Sequence, residues 1–284
     1  MTEFAANSTV GVMQKATSAF NEESDPWLAR NGAVGQLKFA EGVLKATPDN
    51  GDLMVLIASN YASFSFGFLV YDLEDLKWGT DEYEVVKNRA ADFFKRGRRH
   101  AIMRLNQDIE DFGTAVNSPG DRFDQILGEL DPEEHVPAMY WLAYSWGNII
   151  NLQSDEPDSL ADLPRVKRIM KWVRNHHATF ENSGPTIFFG VMNTALPKQL
   201  GGKPAEAKEA FDAALKATDR KFLMVQALYA RHYMRVVNDR AGYERLLNEV
   251  LDARDDIYPE QRLANELAKQ RARRWLDEVG DHFD

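Results

Sequence analysis

The chain has 284 residues, a formal net charge of −10, no cysteine, and 44% hydrophobic against 27% charged residues. That length suits one large domain or two modest ones. The acidic balance argues against a general binder of nucleic acid or anionic membrane, and the missing thiol excludes disulfide scaffolds, cysteine nucleophiles and cysteine-ligated metals. No uninterrupted apolar run reaches the roughly 20 residues of a membrane span. The start lacks the basic-then-apolar pattern of an export signal, and Met1-Thr2-Glu3-Phe4 is compatible with an expression scar.

Residues 1–25 form a weakly patterned N-terminal segment with a short helix over Val10–Phe20; residues 26–284 read as a single all-α domain. Pro26–Thr47 is a helix that puts Leu37, Ala40, Val43 and Leu44 on one face. Pro48-Asp49-Asn50-Gly51 ends it in a turn. Asp52–Tyr71 is apolar nearly all round, which predicts a central, buried helix. Asp81–Gln107 is long and amphipathic. Asn117–Gly120 is a turn and Asp121–Leu130 a short helix. Pro132–Leu152 is a second aromatic helix, followed by a polar break at Gln153–Asp158. Leu163–Phe180 is amphipathic and ends at Asn182–Gly184. Pro185–Leu196 is short and apolar.

Gly201-Gly202 suits a helix exit, and Pro204 suits a first helical turn. Three helices then follow, over Pro204–Thr218, Lys221–Val236 and Arg240–Ala253, and Pro259–Val279 is the last. Phe211 and Leu247 occupy matching positions in the first and third of these. A helix pair recurring near this period is the signature of a tetratricopeptide-type solenoid, whose pairs bury their apolar faces by stacking. The repeat recurs early in the chain. Val43-Leu44-Lys45-Ala46-Thr47 resembles Ala214-Leu215-Lys216-Ala217-Thr218, and Tyr61-Ala62 resembles Tyr229-Ala230. Nothing alternates with period two for long enough to demand a sheet. The expected fold is all-α, a superhelical stack of antiparallel helix pairs.

No catalytic or metal motif assembles. Glu133-Glu134-His135 has no second histidine one turn away, and its acids suit a first helical turn. The adjacent imidazoles of His176-His177 cannot face one ion. Gly201-Gly202-Lys203-Pro204 lacks the first glycine and the hydroxyl residue of a phosphate loop. The nucleophile elbow is absent. No cofactor is expected. The basic runs 95–99 and 271–274 sit beside acids and read as solvated or ion-paired helix faces. The aromatic residues allow two readings. They fill the core, or Tyr61, Phe64, Tyr140, Trp141, Tyr144, Trp146 and Tyr229 line a groove with polar anchors such as Asn193 and Arg231. Arg96, Arg98 and Arg99 are candidates to meet a carboxylate or an acidic partner.

Several stretches, in order, carry a family resemblance. They are Ala58-Ser59-Asn60-Tyr61-Ala62, Arg89-Ala90 with Lys95-Arg96-Gly97-Arg98, and Tyr140-Trp141-Leu142-Ala143-Tyr144-Ser145-Trp146-Gly147. Further on come Leu160-Ala161-Asp162-Leu163-Pro164, Phe188-Phe189-Gly190, and Leu196-Pro197 with Gly201-Gly202. The last are Leu228-Tyr229-Ala230-Arg231 and Pro259-Glu260-Gln261-Arg262-Leu263-Ala264-Asn265. With these the chain resembles TatT, the T component associated with TRAP (tripartite ATP-independent periplasmic) transporters, from about residue 30 to its end. The resemblance implies a tetratricopeptide-like, non-enzymatic periplasmic protein, often lipid-anchored, acting beside the solute-binding subunit of a TRAP transporter. It also implies a small organic ligand and a homo-oligomer. The chain departs from the family in having no lipobox cysteine, so the resemblance leaves the anchor open. A competing reading is a tetratricopeptide-type scaffold that binds a peptide segment and has no transport role.

Overall fold

The computed structural model describes residues 2–118, 122–154, 156–195 and 202–283. It is 81% helix, with no strand among the described residues. The predicted Leu196-Pro197 stretch and Gly201 of the predicted helix exit lie outside the described residues, as do Pro119 and Gly120 of the turn after Asn117.

The helices are α1 (Thr2–Asn21), α2 (Pro26–Ala46), α3 (Gly51–Phe64), α4 (Val70–Leu73), α5 (Asp81–Asp108), α6 (Phe112–Asn117), α7 (Arg122–Glu129) and α8 (Pro132–Leu152). Then come α9 (Pro157–Ala161), α10 (Leu163–His176), α11 (Phe180–Met192), α12 (Pro204–Ala217), α13 (Met224–Leu228), α14 (Arg240–Asp252) and α15 (Arg262–Asp277). Starts follow from capping side chains. Asn50 accepts from the Leu53 N–H at 2.8 Å, Thr80 from Tyr83 at 3.2 Å, Asp131 from Glu133 at 2.9 Å and Asp239 from Gly242 at 2.8 Å. Each satisfies a donor that the first helical turn leaves open.

Packing divides the chain into two compact units. The first comprises Met1–Thr17 with Arg30–His176, the second Ser18–Ala29 with His177–Asp284. In the first unit α3, α5 and α8 pack against one another, and α10 packs on α8. Leu53, Ile57, Phe94, Leu105, Met139, Leu142 and Ile169 fill this core. In the second unit α11 packs on α12 and α14 on α15. Phe211, Val225, Tyr243, Leu247 and Ala268 are its centre.

The predicted central helix is one continuous helical run, Gly51–Leu73, of 23 residues. By length and composition it is long and apolar enough to cross a membrane, although Ser59, Asn60 and Ser63 interrupt it. In the structure 67% of its most apolar window is buried, the place of a core helix.

Local departures from the sequence reading have identifiable causes. A π turn over Ser65–Leu69 joins α3 to α4, and a second over Tyr229–Met234 follows α13. The first lies in a run that is apolar nearly all round, which gives no phase against which an inserted residue would show. The predicted helix Leu163–Phe180 stops at His176. Glu181, Asn182 and Ser183 then adopt left-handed conformations, with φ of 46°, 52° and 69°. Three such non-glycine residues are strained, and the Tyr258 hydroxyl, donating to Asn182 Oδ1 at 3.1 Å, helps hold the turn. Two short helices, α6 and α9, fall in stretches the sequence leaves as loop or break.

The internal repeat has a structural counterpart. Thr47 and Thr218 each donate a hydroxyl to the carbonyl four residues back, at 3.1 and 2.9 Å. Two residues before the matched segments stand Glu41 and Asp212. Tyr61 donates to Glu41 Oε1 at 2.7 Å, and Tyr229 donates to Asp212 Oδ1 at 3.1 Å. Each unit thus carries the same tyrosine–carboxylate latch beside a π turn. Tyr61→Phe and Tyr229→Phe should each cost about 1 kcal/mol in urea unfolding. Tyr61→Phe should cost more, because that hydroxyl also accepts from Arg96 Nη1 at 3.2 Å.

Candidate functional site

Most of the predicted groove residues are core residues. Tyr61, Phe64, Tyr140, Trp141, Trp146 and Tyr229 are buried. Tyr144, Asn193 and Arg231 are half-buried. The first-unit aromatics fall into separate groups, set by which face of α3, α5 or α8 each residue occupies. Tyr61, Phe64 and Phe93 form one, with ring centroids 5.3 and 5.4 Å from Phe93. Tyr144 is the hub of another. Tyr140, Trp141 and Phe66 surround it at 5.7, 5.5 and 6.2 Å. Phe66 and Tyr144 are half-buried, so this cluster reaches the surface. Of the predicted aromatic residues, Tyr144 is the half-buried one, and the others are buried.

The three arginines named as one contact separate. Successive helical residues point about 100° apart. Arg96 lies over the Tyr61 ring at 5.6 Å, with its Nη1 at 4.0 Å from Glu41. Arg98 lies over the Trp146 ring at 3.9 Å. Arg99 is exposed. Arg165, from α10, lies over the same Trp146 ring at 5.8 Å, and its Nη1 is 3.4 Å from Asp162. The sequence reading missed Arg165 because only the packing of α10 on α8 brings it there.

A charged cluster stands at the other end of α5. Arg104 holds Asp108 with one guanidinium nitrogen and Glu134 with the other, the latter at 2.7 Å. His135 Nε2 lies 3.1 Å from Asp108 Oδ2, while its Nδ1 is 3.0 Å from the Asp131 N–H. Burial pushes the Asp108 carboxyl up, but Arg104 and His135 outweigh it and hold it below the usual range. Asp108, Glu134 and His135 offer donor atoms within 4.8 Å of one another. The Arg104 guanidinium already spans both carboxylates, so a cation would have to displace it. A polar cavity of about 430 Å³ adjoins the cluster, lined by Asp49, Asn50, Asp52, Gln107 and Glu134 among others.

In the second unit the ring of Tyr229 stacks on Phe211 at 4.7 Å. Burial and the Asp212 carboxylate push its phenol up. Arg231 donates to His282 Nε2 and lies over Trp275 at 5.3 Å. Asn193 closes α11, and its carbonyl accepts the Lys203 N–H at 2.8 Å. Burial, with Arg231 and Arg235 beside it, pushes His232 down to about 4. His100 and His282 are also lowered, chiefly by burial. The folded protein therefore binds fewer protons than the unfolded chain between the ordinary histidine value and about 4. Stability should fall as pH drops through that window, and His232→Gln should flatten the slope in urea melts at pH 7 and pH 5.

These features define an all-helical protein whose polar clusters present charge and aromatic faces. Residues 22–283 match the family described as the TRAP transporter T-component, and the chain belongs to that family. It is a transporter accessory family and not an enzyme family. The chain is also similar to an uncharacterized protein of Treponema pallidum (strain Nichols). The two are 24% identical over 276 residues, covering 94% of this chain and 83% of the relative.

Proposed function

We propose that this protein is a periplasmic accessory component that docks the solute-binding subunit of a TRAP-type transporter and holds or passes a small organic ligand. Its helix pairs stack as a tetratricopeptide-like array, and it works as a homo-oligomer, lipid-anchored where its precursor carries the anchor. The observation that carries the reading is family membership across nearly the whole chain. The half-buried Tyr144 cluster supports the ligand part, because a small molecule binds where aromatic faces and polar groups meet solvent.

Native mass spectrometry tests this with purified protein and its neighbouring solute-binding subunit. A stable mixed complex, with or without an added small-molecule mass, is the expected result. A bare monomer that ignores the subunit at micromolar concentrations would sink the docking reading.

A further inference from the structure

We infer that Arg98, Arg165 and the face of Trp146 form a binding site for a carboxylate. The inference extends the ligand part of the proposed function, but it stands on geometry within the first unit alone. Many arginines of this acidic chain already hold a carboxylate: Arg30 meets Asp72, Arg104 meets Asp108 and Glu134, and Arg220 meets Glu249. Arg98 does not. Its Nη2 donates to Asn117 Oδ1, an uncharged oxygen. Its Nε is buried without a hydrogen-bond partner. Arg98 is half-buried, with its flat guanidinium laid on an indole that is 4% exposed.

The second guanidinium, Arg165, shares that indole and keeps 22% of its side-chain surface exposed. Among the described residues Asp162 offsets the pair, at 3.4 Å from Arg165 and itself 39% exposed. Two cations and one anion leave an excess positive charge at a half-buried, solvent-reachable spot. A half-buried unpaired charge is costly, and an incoming anion repays that cost. A planar guanidinium stacked on an aromatic ring loses little freedom when it binds a carboxylate through two parallel N–H groups. Asn117 Oδ1 marks where one such oxygen sits. Burial lowers the affinity of Arg98 for its proton; Asp162 opposes that shift and Arg165 adds to it.

The carboxylate belongs to a free organic acid or to an acidic side chain of the docked subunit. The test uses the intact protein with nitrogen-15 label, titrated with sodium propionate against sodium chloride at matched ionic strength. Expected are saturable shifts of the Arg98 and Arg165 Nε–H signals and of the Trp146 indole N–H, with exposed arginines such as Arg99 unmoved. Arg165→Gln and Arg98→Lys should each weaken binding roughly tenfold, with thermal melts confirming the fold. Arg165→Gln stands if Arg98→Lys fails to fold. Adding the solute-binding subunit identifies the source. If it displaces propionate, the carboxylate is the subunit's; if propionate stays bound, it is a free acid. Shifts that never saturate, or that persist unchanged in Arg165→Gln, overturn the inference. Propionate binding does not depend on the transporter, so this result and the docking result fail separately.

Discussion

Gly97→Ala should lower the free energy of unfolding by about 1–3 kcal/mol, although alanine is intrinsically the better helix former by about 1 kcal/mol. A Cβ at Gly97 would stand 2.9 Å from Ser145 Oγ and 3.0 Å from the Ala58 carbonyl oxygen. The hydroxyl can turn aside; the carbonyl belongs to the α3 backbone and cannot. Adding Ser145→Ala should therefore restore only part of the loss. Gly32, Gly35 and Gly42 of α2 supply the control, because a Cβ at any of them meets nothing within 4 Å. Alanine at those positions should stabilise by about 0.5–1 kcal/mol each. Urea unfolding of the four variants decides the matter. If Gly97→Ala gained stability like the others, α3 and α5 would not be packed as closely as the structure shows.

Arg104→Met should cost about 2–3 kcal/mol. Its side chain is 10% exposed, so the guanidinium is fixed by the protein and little rewarded by water. Its loss leaves Asp108 and Glu134 facing each other. They are 35% and 53% exposed and can rehydrate, which keeps the loss at the low end for a broken ion pair. The effect depends on pH. Arg104 and His135 hold Asp108 below its ordinary value. A lowered carboxyl stabilises above its unfolded value, and that contribution fades as pH falls through the folded one. The gap between the wild-type protein and Arg104→Met should therefore narrow below about pH 4. A gap that stays constant from pH 7 to pH 3 would show that the methionine disturbs packing and not charge.

The sequence makes the helices legible wherever an end is chemically marked. Pro26, Pro132 and Pro204 each open a helix as expected, and Asn50, Thr80, Asp131 and Asp239 cap theirs. Between marks it is less informative. The π turn over Ser65–Leu69 lies in an apolar run, where one extra residue leaves the composition of each face unchanged; the one over Tyr229–Met234 holds Arg231 and His232 and has no such mask. The break near Gly184 is legible, yet the strain falls on Glu181, Asn182 and Ser183, because the carbonyl of Thr179 takes the Ser183 N–H at 3.1 Å. The site is legible only in its charges. Arg96, Arg98 and Arg99 are one cluster in sequence, but helix geometry sends Arg96 to Tyr61 and Arg98 to Trp146. Arg165 meets Trp146, and Glu134 and His135 meet the Arg104–Asp108 pair, only through packing between helices, which no local pattern records.

The paired tyrosine latches differ in one respect that bears on ionic strength. Ala40 and Phe211 occupy equivalent positions in the repeat. Where Tyr229 has the Phe211 ring against its face, Tyr61 has the Arg96 guanidinium, whose side chain is 45% exposed. Salt screens an exposed cation and leaves ring stacking untouched. Concentrated sodium chloride should thus loosen the first latch more than the second, where Lys208 pairs with Asp212 but the Phe211 ring, not a cation, lies against the tyrosine face. The two halves of the chain, alike in their hydroxyl chemistry, would then respond differently to the same solvent.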